Sequence, residues 1–308
     1  MSFQNINPVE PYKFYLDLAF RRAREKGEKL RSTKLKGSRL QKSQYIELMK
    51  MQVISDTLIA RMEAIIKTFP NMDDLTPYYS ELLRISLDFP QLKKSLGAVN
   101  WLRKRSFNMF KIYRSKLMKN KIFDNNNKIK TEFLGRMSSF VKQIKDDFVF
   151  LEQTRKILKG FPVIKSNMKT IALVGFPNVG KTTLLYKLTG SKGEINSYPF
   201  TTKGVNVSYK GKTQILDTPG TLNRYNKMNN IEKVAHLTIK HCADIIIYIF
   251  DPTEEYPMKD QIKLFENLKE FKKEIIVYVS KTDLEASKEL AKKYNAKSID
   301  EIKKILLS

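Results

Sequence analysis

The sequence predicts an α + α/β protein, in which an N-terminal antiparallel helical bundle precedes a domain built on a mainly parallel sheet. Residues 1 to about 160, of 308, carry long stretches of helical periodicity and no convincing strand-like alternation. From residue 169, short β-rich runs alternate with helical runs, which is typical of parallel strands joined by helices. We therefore predict two domains, at residues 1–165 and 166–308.

The individual elements follow from periodicity and from helix-breaking residues. Apolar residues spaced by three or four positions predict helices at about 40–68, 92–119 and 129–159. A short helix is predicted from Pro77 to about Leu87, because Thr76 can cap it and proline fits the first helical position. Candidate strands lie at 170–174, 204–209, 212–216, 244–250 and 274–279.

The charge is strongly positive and concentrated in the first half. The chain has 57 Lys and Arg against 32 Asp and Glu, a formal net charge of +25. Residues 1–165 hold 34 basic and 16 acidic residues, whereas residues 166–308 hold 23 and 16. A lysine-rich composition alone would spread the excess evenly, so the uneven distribution favours phosphate-backbone contact by the first domain.

We expect a cytoplasmic protein that does not cross a membrane. The longest apolar run, residues 245–250, is far shorter than the roughly 18 residues of a spanning helix. The first five residues show neither a basic nor an apolar signal region. Cys242 is the single cysteine, so an internal disulfide is excluded and a reducing compartment is expected.

A phosphate-binding motif follows the first predicted strand. Residues 175–182 read G-F-P-N-V-G-K-T, a complete G-x-x-x-x-G-K-[ST] sequence that opens a helical run. Its glycines allow backbone N–H groups to surround phosphate, Lys181 reaches the β- and γ-phosphates, and the Thr182 hydroxyl holds Mg²⁺. The spacing predicts a nucleoside triphosphate site.

Two further segments complete a triphosphate site. Residues 217–220 read D-T-P-G at the end of a predicted strand, where Asp217 can hold Mg²⁺ and the Gly220 amide can face the γ-phosphate. Between this motif and the P-loop, Thr202 is the threonine expected to close on Mg²⁺ when the γ-phosphate is present. The predicted Mg²⁺ ligands are therefore Thr182, Thr202 and Asp217.

The base specificity is indicated by a third motif. Residues 280–283, S-K-T-D, are similar to the [NT]-K-x-D guanine motif. The Asp283 carboxylate can accept from guanine N1–H and the exocyclic amine, which adenine does not offer together, and Lys281 would lie along the base. Ser280 departs from the usual Asn or Thr. The Ala296-Lys297 loop resembles the S-A-K loop that contacts guanine O6, although other short loops before a helix share this pattern.

Together these motifs resemble those of TRAFAC-class GTPases of the Obg–HflX branch, with a Ras-like P-loop GTPase domain. Segments of the first half are similar to the nucleolar GTP-binding protein (Nog) family. These segments are D-D-L-T-P-Y-Y at 73–79, L-G-A-V-N at 96–100, G-R-M at 135–137 and V-F-L-E-Q-T-R at 149–155. The resemblance covers nearly the whole chain, in the short form typical of archaeal members.

The resemblance implies a GTP-binding and GTP-hydrolysing switch that acts as an assembly factor for the large ribosomal subunit. The expected cofactors are GTP or GDP and Mg²⁺, and the expected partners are large-subunit rRNA and ribosomal precursor particles. A monomer associated with precursors in the cytoplasm is expected, or in the nucleolus of a eukaryote. The nucleotide-binding residues would be Pro177, Asn178, Val179, Gly180, Lys181, Thr182, Thr183, Asp217, Gly220, Ser280, Lys281, Asp283, Ala296 and Lys297.

Catalysis is expected to depend on Lys181, Thr202, Gly220 and Asn178. Ras-like enzymes place a glutamine after D-x-x-G to orient the attacking water, but Thr221 is too short for that role, which predicts a slow intrinsic rate raised by a partner or by K⁺. Asn178 matches the P-loop asparagine of K⁺-activated relatives. The alternative is that Asn178 only shapes the loop.

Two other functions are compatible with parts of the sequence. A signal-recognition-particle-type GTPase also carries a helical domain before its G domain, but its P-loop and D-T-A-G-R motif differ from the present ones. The other alternative is a non-enzymatic RNA-binding assembly factor whose bound nucleotide has only a structural role. Thr221 and Ser280, which depart from the usual motif residues, would then be signs of lost enzymatic function. Multiple-turnover hydrolysis would distinguish it from a switch.

Overall fold

The N-terminal half is helical, as its periodicity predicts. The computed structural model describes residues 3–71, 74–165, 167–190, 194–196, 205–218, 220, 230–253 and 255–307. The helices of this half are α1 (Tyr12–Arg31), α2 (Arg39–Thr68), α3 (Pro77–Ser86), α4 (Phe89–Lys119), α5 (Asn125–Gln143) and α6 (Lys145–Lys159).

Five of these helices form one compact unit, which contains residues 3–71 and 87–159. Helix α2 lies at its centre and packs against α1, α4 and α5. Met51, Ile54, Leu58 and Met62 of α2 are buried, so their spacing of three to four residues marks the core face of that helix. Ser38 and Gln41 form a capping box that fixes the start of α2.

The prediction of one helix at 129–159 is wrong, because the segment contains two helices. Helix α5 ends at Gln143, Ile144 leaves the helical conformation with φ −102° and ψ 23°, and α6 begins at Lys145. The acidic pair Asp146 and Asp147 lies in the first turn of α6, where carboxylates interact favourably with the helix dipole. The break spans one residue, so the apolar period continues across it.

Helix α3 belongs to the second compact unit, together with residues 160–308. Within this unit, the Tyr78 hydroxyl lies 3.3 Å from Thr238 Oγ1, and Glu81 Oε1 lies 3.3 Å from Lys240 Nζ and 3.0 Å from His241 Nε2. These contacts attach α3 to a helix of the α/β domain. The ranges 1–165 and 166–308 stay predictions, and the structure places α3 with the C-terminal unit.

Replacing Tyr79 with phenylalanine is expected to destabilise this second unit. The buried Tyr79 hydroxyl donates to Pro162 O over 2.8 Å and accepts from the Ile164 N–H over 3.1 Å. Phenylalanine would leave both buried backbone groups without this partner, at a cost of about 1–3 kcal/mol. Urea unfolding measures the change, and the exposed Tyr186→Phe is the matched control. Equal midpoints for the two variants would contradict the assignment.

The second unit contains a six-stranded sheet with strand order β2-β3-β4-β1-β5-β6. Its strands are β1 (Lys169–Val174), β2 (Glu194–Asn196), β3 (Val205–Lys210), β4 (Thr213–Asp217), β5 (Ile245–Phe250) and β6 (Glu274–Val279). Strands β4, β1, β5 and β6 are parallel, whereas β2 and β3 pair antiparallel at one edge. The mainly parallel sheet is confirmed, and the short β2 adds to the five predicted strands.

The carboxyl ends of the four parallel strands lie at the same edge of the sheet. The loops that follow β1, β4, β5 and β6 therefore begin side by side, which is the usual position of a ligand site in this class of fold. The helices of this domain are α7 (Lys181–Thr189), α8 (Asn230–His241), α9 (Met258–Leu268), α10 (Glu285–Lys293) and α11 (Ile299–Leu307). No helix within the described ranges is long and apolar enough to cross a membrane.

Candidate nucleotide-binding site

The P-loop connects the end of β1 with the start of α7. Gly180 adopts φ 95° and Asn178 adopts φ 62°, so the loop uses the left-handed conformation at two positions. A Cβ atom on Gly175 would lie 2.9 Å from Ile249 O of β5, which explains why glycine begins the motif. Pro177, Val179 and Thr183 lie in this loop and in the first turn of α7.

Lys181 donates hydrogen bonds to the backbone of the P-loop. Its buried ammonium group donates to Gly175 O over 3.1 Å and to Phe176 O over 2.6 Å. The lysine therefore lies beneath the loop whose N–H groups would face phosphate, with its charge close to the anion site.

Thr182 and Asp217 meet at the mouth of the P-loop. Strands β1 and β4 are adjacent, with Leu173 opposite Asp217, and Thr182 Oγ1 donates to Asp217 Oδ2 over 2.6 Å. Burial raises the pKa of Asp217, and the bonds from Thr182 and Asn206 and the charge of Lys181 act in the opposite direction. A hydroxyl and a buried carboxylate are hard oxygen ligands, so this pair fits Mg²⁺.

Asn206 is a site residue that the motifs do not reveal. It lies opposite Asp217 in the antiparallel β3–β4 pair, and its Nδ2 donates to Asp217 Oδ2 over 3.2 Å. Gly211 and Lys212 form the turn between β3 and β4, so Lys210 pairs with Thr213. Counting back along both strands from that pair places Asn206 opposite Asp217. Asn206 therefore orients the carboxylate.

Gly220 lies directly against the P-loop. A Cβ atom at this position would lie 2.6 Å from Pro177 N and 2.8 Å from Pro177 Cα, so only glycine fits without moving backbone. The segment starts from Thr218, whose hydroxyl donates to Leu173 O over 2.7 Å. Thr202 and Thr221 lie outside the described residues, and their roles stay predictions.

Ser280 ties the loop after β6 to the end of β5. Its Oγ and its N–H both donate to Phe250 O of β5, over 3.1 and 2.9 Å. A Cβ atom on Gly180 would lie 3.8 Å from Ser280 Cβ, so the loop after β6 approaches the P-loop. The structure thus brings the predicted base-binding and phosphate-binding segments together.

Lys281 is held by Asp251, a carboxylate that lies outside the sequence motifs. Its Nζ donates to Asp251 Oδ2 over 2.9 Å and to Thr253 Oγ1 over 2.6 Å. Burial alone would raise the pKa of Asp251, but the hydrogen bonds from Lys281 and Thr253 hold this pKa below its ordinary value. Asp251 follows β5 directly, so the sheet edge places it beside the loop after β6.

The predicted contact of Ala296 with guanine O6 stays a prediction. In this structure the Ala296 N–H donates to Ala291 O over 2.9 Å, and the Lys297 N–H donates to Val277 O over 2.8 Å. These bonds fix the loop beside β6. The loop must release the Ala296 N–H before that group can donate to a base.

Asp283→Asn is expected to weaken GTP binding by about 100-fold or more and to favour xanthosine triphosphate. Asp283 is exposed beside Ser280 and Lys281, and its carboxylate would accept two hydrogen bonds from guanine. Each hydrogen bond to a charged group contributes about 1.5–3 kcal/mol. An amide can instead donate to the xanthine carbonyl. Competition binding with both nucleotides measures the change, with the exposed Asp300→Asn as control. An unchanged preference would exclude Asp283 from the base site.

Two family models match the chain. The model for the NOG1 N-terminal helical domain matches residues 3–165, and the model for the 50S ribosome-binding GTPase matches residues 170–281. Together they cover both predicted domains, and the first alone covers more than half of the chain.

Individual proteins match over most of the chain. Uncharacterized protein MJ1408 of Methanocaldococcus jannaschii is 36% identical over 86% of this chain and 76% of its own length. Nucleolar GTP-binding protein 1 of Candida glabrata is 31% identical over 92% of this chain and 45% of its own length. The chain thus spans less than half of that longer relative.

A solved structure matches over slightly less than half of the chain. The G domain of the FeoB iron transporter of T. maritima is 29% identical, and the match covers 46% of this chain and 97% of that domain with a TM-score of 0.36. The family models and the sequence relatives agree with the motifs and their geometry. The chain therefore belongs to the nucleolar GTP-binding protein 1 (Nog) family and carries a guanine-nucleotide-binding P-loop GTPase domain.

Proposed function

We propose that this chain is a GTP-gated assembly factor for the large ribosomal subunit, anchored on rRNA by its basic helical domain. The observation that carries the proposal is the combination of a triphosphate site with a first half holding 34 basic and 16 acidic residues. The family descriptions, which name ribosome binding and the nucleolus, support the same function. The chain would act as a monomer on precursor particles in the cytoplasm, or in the nucleolus of a eukaryote.

The switch would operate through the loops beside the γ-phosphate. Mg²⁺, held by Thr182 and Asp217, would neutralise phosphate charge, and Thr202 would close on the same ion. Gly220 lies against Pro177, so a change in the conformation of the P-loop would shift the D-x-x-G segment. Hydrolysis would release both segments and permit dissociation from the particle.

RNA crosslinking and sequencing from cells tests this function. Wild type is compared with Lys181→Ala at matched expression. One cluster of sites on large-subunit rRNA, changed by the substitution, is the expected result. Crosslinks scattered over unrelated RNAs would leave the GTPase assignment intact and overturn the ribosomal one. Particle-dependent binding without multiple-turnover hydrolysis would instead favour the non-enzymatic assembly factor.

Hydrolysis is expected to be about tenfold or more faster in K⁺ than in Na⁺ buffer. Asn178 lies in the P-loop, and its Nδ2 donates to Glu255 Oε1 over 2.9 Å, so this hydrogen bond orients the Asn178 amide. A cation held there would supply the charge that an arginine finger supplies elsewhere. Single-turnover rates at equal ionic strength measure the effect, and Asn178→Ala should reduce the K⁺ rate to the Na⁺ rate. Equal wild-type rates in the two salts would exclude the site.

A further inference from the structure

All the charged residues of helix α4 are basic. Its 31 residues include nine Lys and Arg and no Asp or Glu. At 1.5 Å per residue the helix is about 46 Å long. Its own side chains place positive charges along this length, with no carboxylate of the helix between them. Such a surface attracts a polyanion.

The exposed arc of α4 lies between two ion pairs that mark its edges. Arg103 pairs with Glu63 of α2 over 3.3 Å, and Lys116 pairs with Glu132 of α5 over 2.6 Å. Beyond Arg103 along the helix, the other exposed cations on the arc have no carboxylate within ion-pair distance among the described residues. These cations are Lys104, Arg105, Lys111, Arg114 and Lys119.

Large apolar side chains stand among these cations. Trp101, Phe107, Ile112 and Met118 are 38%, 47%, 56% and 57% exposed. They span 18 residues, or about 26 Å of helix. A surface that served only to bind phosphate would not need exposed aromatic and aliphatic groups, because these groups gain nothing from phosphate contact.

The aromatic rings are held in place by their neighbours. Trp101 packs edge-on against Phe140 of α5 with 5.8 Å between ring centroids, and the Arg105 guanidinium lies 5.1 Å from the Phe140 ring. Lys111 Nζ lies 4.3 Å from the centroid of Phe107. The exposed Phe107 ring therefore has a cation beside it, and the half-buried Phe140 ring against which Trp101 packs has another. A planar group that stacks on this face would bring an attached anion close to a positive charge.

We propose that the exposed face of α4, centred on Trp101, Lys104, Phe107 and Lys111, is a stacking surface for unpaired nucleotides of RNA. A duplex presents phosphates but keeps its bases stacked inside, whereas an unpaired strand offers phosphates and free base faces together. Only the unpaired strand uses both kinds of side chain on this face. The proposal rests on the proposed function, and it adds where and in which form RNA is bound.

The intrinsic fluorescence of Trp101 provides a direct test, since it is the single tryptophan of the chain. The full chain is titrated with a mixed-sequence unpaired RNA 12-mer and with the blunt duplex of the same sequence. The unpaired strand is expected to quench Trp101 and to bind about tenfold or more tightly than the duplex. Phe107→Ala is expected to reduce affinity for the unpaired strand about tenfold, with little effect on the duplex.

A charge-reversal pair separates this face from general polyanion binding. Lys104→Glu with Lys111→Glu is expected to weaken binding of both RNAs strongly and to reduce the salt dependence of the affinity. The control is Lys259→Glu with Lys263→Glu, which makes the same charge change on exposed positions of α9. An equal loss in the two double variants would overturn the proposal, as would absent quenching, equal affinity for duplex, or binding to anionic vesicles alone.

The RNA titrations and the crosslinking experiment distinguish a failure of the α4 surface from a failure of the ribosomal assignment. Scattered crosslinks in cells together with quenching by the unpaired strand would refute the proposed function and keep the α4 surface. Clustered rRNA crosslinks whose protein side maps by mass spectrometry away from α4 would keep the proposed function and refute the surface. Clustered crosslinks on peptides that contain Trp101 or Phe107 would support both.

Discussion

Lys181→Ala is expected to reduce single-turnover GTP hydrolysis by about 100- to 1,000-fold. The Lys181 ammonium is buried beneath the P-loop, where it bonds Gly175 O and Phe176 O and lies close to the phosphates that the loop would surround. A preorganised charge in a site shielded from water stabilises the charge that develops on phosphate, and loss of one such group typically costs this factor.

The matched control for this substitution is Lys187→Ala on the same helix. Lys187 of α7 is exposed and lies outside the phosphate-binding loop, so its loss removes the same charge without touching the site. Thermal unfolding of both variants checks that the fold is intact. A hydrolysis rate of Lys181→Ala within a few-fold of Lys187→Ala, in folded protein, would refute a catalytic charge at this position.

The phosphate-binding elements could be predicted from the sequence because their chemistry is local. Gly175, Gly180, Lys181 and Thr182 lie within eight residues, and each is fixed by the turn that it makes or by the phosphate that it would contact. The D-x-x-G motif is recognisable because it ends a predicted strand. In each case the residue type and its neighbours along the chain carry the whole signal.

The partners of those residues could not be predicted in the same way. Asn206 reaches Asp217 only because the β3–β4 hairpin has one particular register, and Asp251 reaches Lys281 only because β5 and β6 are adjacent. A lone Asn or Asp at a strand carries no such information. Similarly, the tyrosines of α3 look like ordinary core residues, and only tertiary contacts assign that helix to the second unit.

Asp217→Asn is expected to leave the stability of the nucleotide-free protein unchanged or raised, and to reduce the stabilisation that GTP and Mg²⁺ provide. The Asp217 carboxylate is buried, and burial raises its pKa, so its ionised form costs free energy in the folded chain without a cation. Asparagine keeps the shape and an oxygen that can accept from Thr182 and Asn206. The nucleotide-free variant should therefore unfold at the same temperature as wild type or at a higher one.

The effect of GTP and Mg²⁺ should have the opposite sign. At 100 times the dissociation constant, ligand stabilises wild type by about 2.7 kcal/mol. If the amide lowers Mg²⁺-dependent affinity 100-fold, the same concentration stabilises the variant by only about 0.4 kcal/mol. Asp56→Asn on the exposed face of α2 removes the same charge and should respond as wild type does. A variant less stable without ligand but normally stabilised by GTP and Mg²⁺ would make Asp217 a structural residue, because a carboxylate that holds the ion cannot be replaced by an amide at no cost to ion affinity.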